Sequence, residues 1–265
     1  SARKQKLSPR DADAADDQGK DSKEEKGTTV VYRELSTAKE YAFPYIRDYV
    51  LTKDGTRLLF TATGNDSTIA AGVFVFSTAT RSLDTIAIGR GTYRQPAWDE
   101  AGTQAAFVAD RDTSKSKQRY YALHYWMAGK DSAAVIADTL TRGMYPHWLV
   151  SENGRLLFSR DGTKLFFGTA PVPMPDDTTL IDEETAKLDV WNWQDPILQS
   201  QQLKNLEDEK KRSFTAVIHL TDRQFVQLGD TLLPAIVTGD EGNAPVALGL
   251  SDLPYRRIQS WEGRA

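Results

Sequence analysis

The sequence predicts an all-β fold: a partial β-propeller of four-stranded antiparallel blades, about three complete and one begun, with one helical insertion. Three observations carry this expectation. One strand–turn–strand pattern occurs three times, over residues 51–60, 98–107 and 158–167, each with a turn glycine (Gly55, Gly102, Gly162) and a phenylalanine five positions later (Phe60, Phe107, Phe167). The glycines are 47 and 60 residues apart, which brackets the roughly 40–50-residue period of a propeller blade once an insertion is allowed. Short apolar runs bounded by turn residues fill the intervals, as a meander of strands requires. A lone Asp-Gly hairpin is common in any antiparallel protein, but three copies sharing glycine, threonine and the later phenylalanine mark a repeat.

Residues 1–27 contain seven Lys or Arg and seven Asp or Glu, no aromatic residue and one large aliphatic, Leu7. Such a segment cannot bury enough apolar surface to offset the entropy of ordering, so a disordered, charged linker or tail is expected there, followed by a propeller segment over 28–265. Residues 30–35 and 41–43 flank a polar turn and read as a hairpin that supplies outer strands ahead of the first blade. That blade spans about 49–88: the first pattern, then Gly72-Val73-Phe74-Val75-Phe76, then residues 82–88. The second, about 95–137, adds the aromatic strand 120–126 and an exposed polar loop over 111–117. Tyr120, Tyr121, Tyr125 and Trp126 supply the bulk needed between two blades and are read as core, not as a platform for stacking bases.

The third blade, about 144–230, opens at Met144-Tyr145-Pro146-His147-Trp148 and has a subsidiary turn at Glu152-Asn153-Gly154. Pro171, Pro173 and Pro175 cannot serve a central strand and mark an exit loop. Residues 189–193 then read as this blade's third strand. Residues 198–212 are rich in helix formers and close on bases, as a helix macrodipole prefers. Residues 214–220 and 224–228 read as a closing hairpin, and the next blade is expected to begin at about residue 244.

Composition narrows the function. The 265 residues suffice for a buried core, and a formal charge of −4 with a pI near 5.5 gives no basic footprint for nucleic acid. There is no cysteine, hence no disulfide, thiolate metal site or cysteine nucleophile. No apolar run reaches the roughly 18 residues of a membrane-crossing helix, and residues 1–30 lack the apolar centre of a signal peptide. The chain starts with Ser and stops soon after a strand-like run at 244–251, which suggests a piece of a longer protein. By itself such a piece is expected to expose strand edges and self-associate.

Lys187-Leu188-Asp189-Val190-Trp191-Asn192-Trp193-Gln194-Asp195-Pro196, with Leu203-Lys204, Ser213-Phe214, residues 225–228, residues 250–257 and residues 259–263, resembles the propeller region of bacterial prolyl oligopeptidase family serine peptidases of the dipeptidyl or acylaminoacyl peptidase kind. The resemblance extends over residues 28–265. It implies a parent protein in which this noncatalytic propeller gates the access of short peptide substrates to a C-terminal α/β-hydrolase domain carrying Ser, Asp and His. A periplasmic or secreted location is implied in the same way. The turn patterns alone are shared with TolB-like propellers, so a free-standing propeller binding a protein or glycan is the competing reading.

The residues themselves offer no catalytic constellation. Gly249-Leu250-Ser251-Asp252-Leu253 lacks the closing glycine of a Gly-x-Ser-x-Gly nucleophile elbow and is expected to lie in a strand-rich repeat, not before a helix. His124 and His219 fall in strands and His147 in a loop, where structural histidines are expected. Asp176, Asp177, Asp182, Glu183 and Glu184 read as a solvated acidic loop, not a Ca²⁺ site, and no glycine-rich phosphate loop occurs. The resemblance raises Glu207, Asp208 and Glu209 on the helix as acids that could hold a peptide's amino terminus, as propeller acids do in some peptidases of that kind, but with Lys204, Lys210 and Lys211 close by they read as an exposed, ion-paired face. The expectation is therefore no catalytic residue, no cofactor and no metal.

Overall fold

A computed structural model describes residues 27–65, 69–112, 118–173 and 191–262. Four antiparallel sheets follow one another along the chain. The first holds β1 (Thr28–Arg33), β2 (Glu40–Leu51), β3 (Arg57–Ala62), β4 (Gly72–Ser77) and β5 (Leu83–Ile88), in that spatial order. The second holds β6 (Thr92–Trp98), β7 (Gln104–Asp110), β8 (Ala122–Met127) and β9 (Ala134–Ala137), again in sequence order. In the third, β10 (Trp148–Val150) and β11 (Leu157–Phe158) both pair β12 (Lys164–Pro171), forming one interrupted first strand, and β13 (Phe214–His219) and β14 (Phe225–Gln227) complete it. The fourth contains β15 (Ala235–Thr238) and β16 (Ala247–Leu250). This succession of meanders is the partial propeller that the repeat predicts.

Strand alternation gives each sheet two apolar faces, and those faces glue the blades together. Leu59, Val73 and Val75 of the first sheet pack with Ala105, Phe107, Ala109 and Trp126 of the second. The intervening residues of the second sheet, Ala106, Val108, Leu123 and Tyr125, pack with Leu165, Phe167, Ala216 and Ile218 of the third. Phe107, Leu59, Leu123 and Leu165 are fully enclosed, and each such side chain contributes about 1.5–3 kcal/mol relative to exposure. Tyr121, Tyr125 and Trp126 are core, as expected, while Tyr120 is exposed.

The repeated turns register the blades. Gly55, Gly102 and Gly162 occupy equivalent corners at φ of 72°, 65° and 68°. The residue two positions after each reaches the next corner: Arg57 Nη1 donates to the Gly102 carbonyl (3.0 Å) and Gln104 Nε2 to that of Gly162 (3.2 Å). Lys164 Nζ continues the series, donating to the carbonyls of Gly242 (3.2 Å), Asn243 (2.8 Å) and Ala244 (3.2 Å). Gly242 (φ 86°) is thus a fourth corner that the sequence pattern does not reveal. Its glycine follows Gly162 by 80 residues, and β16 begins later after the turn than its counterparts do. At Gly102 a side chain is excluded twice over, by its positive φ and because a Cβ would lie 2.8 Å from Thr52 Cγ2.

Acidic side chains tie the loops down in two ways. In the first and third turns Asp54 and Asp161 accept from the backbone N–H of Thr56 and Thr163, both at 3.0 Å. In the second turn Ala101 stands before the glycine, and Asp99, two residues earlier, accepts from the N–H groups of Thr103 and Gln104, both at 2.8 Å. The hydrogen bonds from Ser159 and Thr163 hold the Asp161 carboxyl down at about 2.

The structure corrects three expectations. The N-terminal hairpin does more than add outer strands ahead of the first blade. Its β2 runs on as that blade's first strand, bending at Tyr45 (φ 59°), and β1 with the early part of β2 folds across the blade's far face. There Tyr32, Tyr41 and Phe43 cover Phe76, and Phe43 meets Phe60, with ring centroids 5.0–5.6 Å apart. Residues 189–190 lie outside the described residues, but 191–193 form no strand; β13 pairs β12 directly, and Trp191 and Trp193 are exposed. The fourth sheet begins at β15, ahead of residue 244. Helix α1 (Gln199–Lys210) matches the predicted insertion, and a second helix, α2 (Leu253–Glu262), was not anticipated. All but the last residue of the predicted tail at 1–27, most of the loop at 111–117 and the acidic cluster at 176–184 lie outside the described residues.

Candidate functional site

The first strand of each complete blade breaks its pairing, and most of the residues released are polar. Pairing of β2 with β3 shifts between Ile46 and Asp48, at Arg47. That of β6 with β7 shifts between Arg94 and Ala97, where Gln95 adopts φ 56° and Pro96 has no N–H to pair. Arg47 and Arg94 stand at the same place in the repeat, eight residues before Gly55 and Gly102. In the third blade the chain leaves β12 after Val150 and returns at Leu157, so residues 151–156 bulge out against Phe167 and Gly168. Gly154 and Gly168 make this bulge possible, because a Cβ on Gly154 would lie 2.2 Å from the Gly168 Cα.

These bulges meet. Arg94 Nε lies 2.9 Å from Glu152 Oε2, and the Tyr121 hydroxyl donates to the same oxygen at 2.7 Å. Gln95 Nε2 donates to the Glu152 backbone carbonyl at 3.2 Å. Burial, reinforced by the bond to Glu152, pushes the Tyr121 phenol well above its ordinary value, so it stays a donor. Arg94, Tyr121 and Glu152 therefore brace blades two and three. Beside them a cavity of about 360 Å³ opens between β2 and β6, lined by Arg47, Asp48, Tyr49, Gln95 and Pro96. The lining brings together a guanidinium, a carboxylate, the Gln95 amide that already donates to Glu152, an exposed phenol ring and a proline face.

The histidines are not brought together. His124 is 5% exposed and lies flat on Phe107, with centroids 5.0 Å apart and planes 9° apart; burial lowers its pKa to about 4. His219 is half-buried at the end of β13, and His147 is exposed in the loop before β10 at φ 61°. Ser251, contrary to expectation, does stand between a strand and a helix, β16 and α2. It is exposed, Leu253 still occupies the place of the missing glycine, and the neighbouring Asp252 carboxylate is taken by Arg256 at 2.7 Å. Glu207 pairs with Lys210 at 2.9 Å and Glu209 with Arg212, on a helix without a buried residue. Among the described residues no group of His, Asp and Glu converges as a metal site, and no helix is long and apolar enough to cross a membrane.

Sequence reasoning did not single out Arg47, Asp48, Arg94, Gln95 or Glu152 as site residues, placing Glu152 only in a subsidiary turn. For Arg47-Asp48 and Arg94-Gln95 the signal was present as adjacent polar residues interrupting apolar alternation at a fixed distance before a turn glycine; Glu152 carries no such signal.

The site and fold define a class, a stack of propeller blades with a polar cleft between first strands. No family model matches the chain, and no curated protein matches it. Solved structures with a similar arrangement include dipeptidyl peptidase 4 of Porphyromonas gingivalis (14% identity, TM-score 0.46, covering 86% of this chain and 34% of that one). TolB from Acinetobacter baumannii gives 15% identity and a TM-score of 0.42, covering 80% and 40%. The tricorn protease gives 8% and 0.44, covering 86% and 22%. The chain thus spans well under half the length of each. Likeness at this level concerns general strand arrangement and assigns no activity.

Proposed function

We propose that this chain is the noncatalytic blade region of a serine peptidase of the oligopeptidase or dipeptidyl aminopeptidase kind, and that it gates the passage of short peptides to an α/β-hydrolase domain elsewhere in the parent protein. Two things support the reading: the resemblance around residues 187–196, and the cleft at the first-strand bulges. The cleft carries the argument, because Arg47, Asp48 and Gln95 put complementary charges and an amide where a peptide passing along the first strands meets them.

Two measurements test it. The purified 265-residue chain should show no hydrolysis of chromogenic dipeptides that a serine-reactive inhibitor abolishes; such hydrolysis overturns the noncatalytic reading. In the parent protein, the Arg47→Ala, Asp48→Ala double variant should raise KM for short peptides about tenfold, about 1.4 kcal/mol, with kcat little changed. Unchanged KM removes the cleft from the substrate path. A parent gene with no hydrolase region turns the reading to a free-standing binding propeller.

A further inference from the structure

Helices α1 and α2 lie side by side and antiparallel, and polar groups join them. Ser260 Oγ accepts from the Leu198 N–H at 3.1 Å and donates to Gln201 Oε1 at 3.0 Å, near the start of α1. At the other end the charges of Arg212 and Glu209 reach Asp252 and Arg256. Positions 252, 256 and 260, four apart, therefore turn toward α1. The apolar residues of α2, Tyr255, Ile258 and Trp261, are three apart, and helical geometry turns them to the opposite side. They are 63%, 51% and 55% exposed, and neither helix has a buried residue. The pair is thus inside out: polar groups form its internal contact while an apolar stripe meets solvent.

Trp193 extends that stripe. The Arg257 guanidinium lies 5.6 Å from its ring centroid, and both Trp193 and the nearby Trp191 are 69% exposed. Four aromatic rings of about 150–250 Å² each, all more than half exposed, offer on the order of 400–600 Å². With Ile258 the patch approaches the roughly 800 Å² that each partner buries in a stable complex. Trp, Tyr and Arg are also the residues that dominate binding energy at interfaces.

Charge selects the partner. Residues 191–212 and 252–262 carry six cations and six anions, whereas the whole chain stands at −4. A neutral surface has no electrostatic pull toward an anionic membrane or a polyanion. On an acidic protein it is where two copies meet without mutual repulsion.

We propose that α2 packs against α2 of a second copy about a two-fold axis near Ile258, setting Tyr255 of each copy toward Trp261 of the other. A contact of this kind uses one surface twice and closes at two chains. It places self-association on the helices instead of the strand edges, and it does not depend on the peptidase reading.

The sequence has no cysteine, so a single introduced thiol tests the axis. Under mild oxidation the 265-residue chain with Ile258→Cys should form a covalent dimer, which requires Cα atoms within about 7 Å. Leu203→Cys, 55% exposed on the side of α1 away from α2, should cross-link at least about tenfold more slowly. Sedimentation equilibrium should show a monomer–dimer equilibrium that Trp261→Glu and Ile258→Arg each weaken at least about thirtyfold, with unchanged circular dichroism. Leu248→Lys, on the open face of the fourth sheet, should leave the dimer intact. A chain that is monomeric at every concentration, equal cross-linking of the two cysteines, or a dimer that Leu248→Lys dissolves and Ile258→Arg does not, overturns the proposal. A monomer that binds phosphatidylcholine vesicles and loses them with Trp261→Glu makes a lipid surface the occupant and overturns it too. Should Ile258→Arg unfold the chain, the two cysteine variants decide.

Discussion

The first and fourth sheets carry the same kind of apolar face and treat it in opposite ways. On the first, Phe60, Phe76 and Leu58 lie under Tyr32, Tyr41 and Phe43, so the face becomes a core. On the fourth, Val237, Leu248 and Leu250 stay open to solvent. Strand alternation makes both outcomes unavoidable problems for a stack of sheets: every blade has two faces, and the two end blades each have one left over. The chain covers one locally, with the β1–β2 hairpin, and leaves the other exposed among the described residues.

The largest test of this contrast is a matched pair of truncations. Phe76→Ala, which removes a ring touched by three others, should lower unfolding free energy by about 3–5 kcal/mol, whereas Leu248→Ala should change it by less than about 0.5 kcal/mol. Chemical denaturation of the 265-residue chain measures both, and similar losses would abolish the distinction between the two ends.

Acid sharpens the contrast, because the better-packed half contains a buried base. The His124 pKa lies at about 4 in the folded chain against 6.5 for the ordinary value, so unfolding is favoured by proton uptake. Stability that is complete above about pH 6.5 should fall by up to about 3 kcal/mol as pH drops through 4. His124→Phe should remove most of that slope, measured by denaturation at successive pH values. A residual loss nearer pH 2 is expected from Asp161, whose lowered pKa makes its contribution present above about 4 and absent once it is protonated.

The smallest effect concerns the open end alone. Lys164→Met removes three charge-assisted bonds to the fourth corner and should cost about 1–2 kcal/mol. Amide exchange at Gly242 and Asn243 should accelerate while the core of the first two sheets keeps its protection. Uniform acceleration would mean that the fourth hairpin folds as one unit with the rest.

What the sequence disclosed was whatever alternation and turn chemistry encode locally. Leu58, Leu59 and Phe60 around an Asp-Gly turn read as a strand, and the run from Leu198 to Arg212 as a helix, because each property sits within a few neighbouring residues. The destination of the β1–β2 hairpin was not readable, since Tyr32 and Tyr41 suit an edge strand as well as a lid, and only the tertiary position of Phe76 decides between them. The apolar Val190 and Trp191 suggested a strand that β13 displaces by pairing β12 along its whole length. The cleft was hidden for a related reason: Arg47 and Asp48 reach Gln95, and Arg94 and Gln95 reach Glu152, through bulges, and a bulge is defined by its partner strand.

The second corner has a further consequence. Asp99 does there what Asp54 and Asp161 do in the first and third, from a different place in the chain, capping the same threonine amide. Tandem modules that descend from one ancestor can therefore exchange letters freely while conserving wiring. Tracing the kinship of such modules, in this protein or in others, is better done by asking which donor is satisfied at each node than by asking which residue satisfies it.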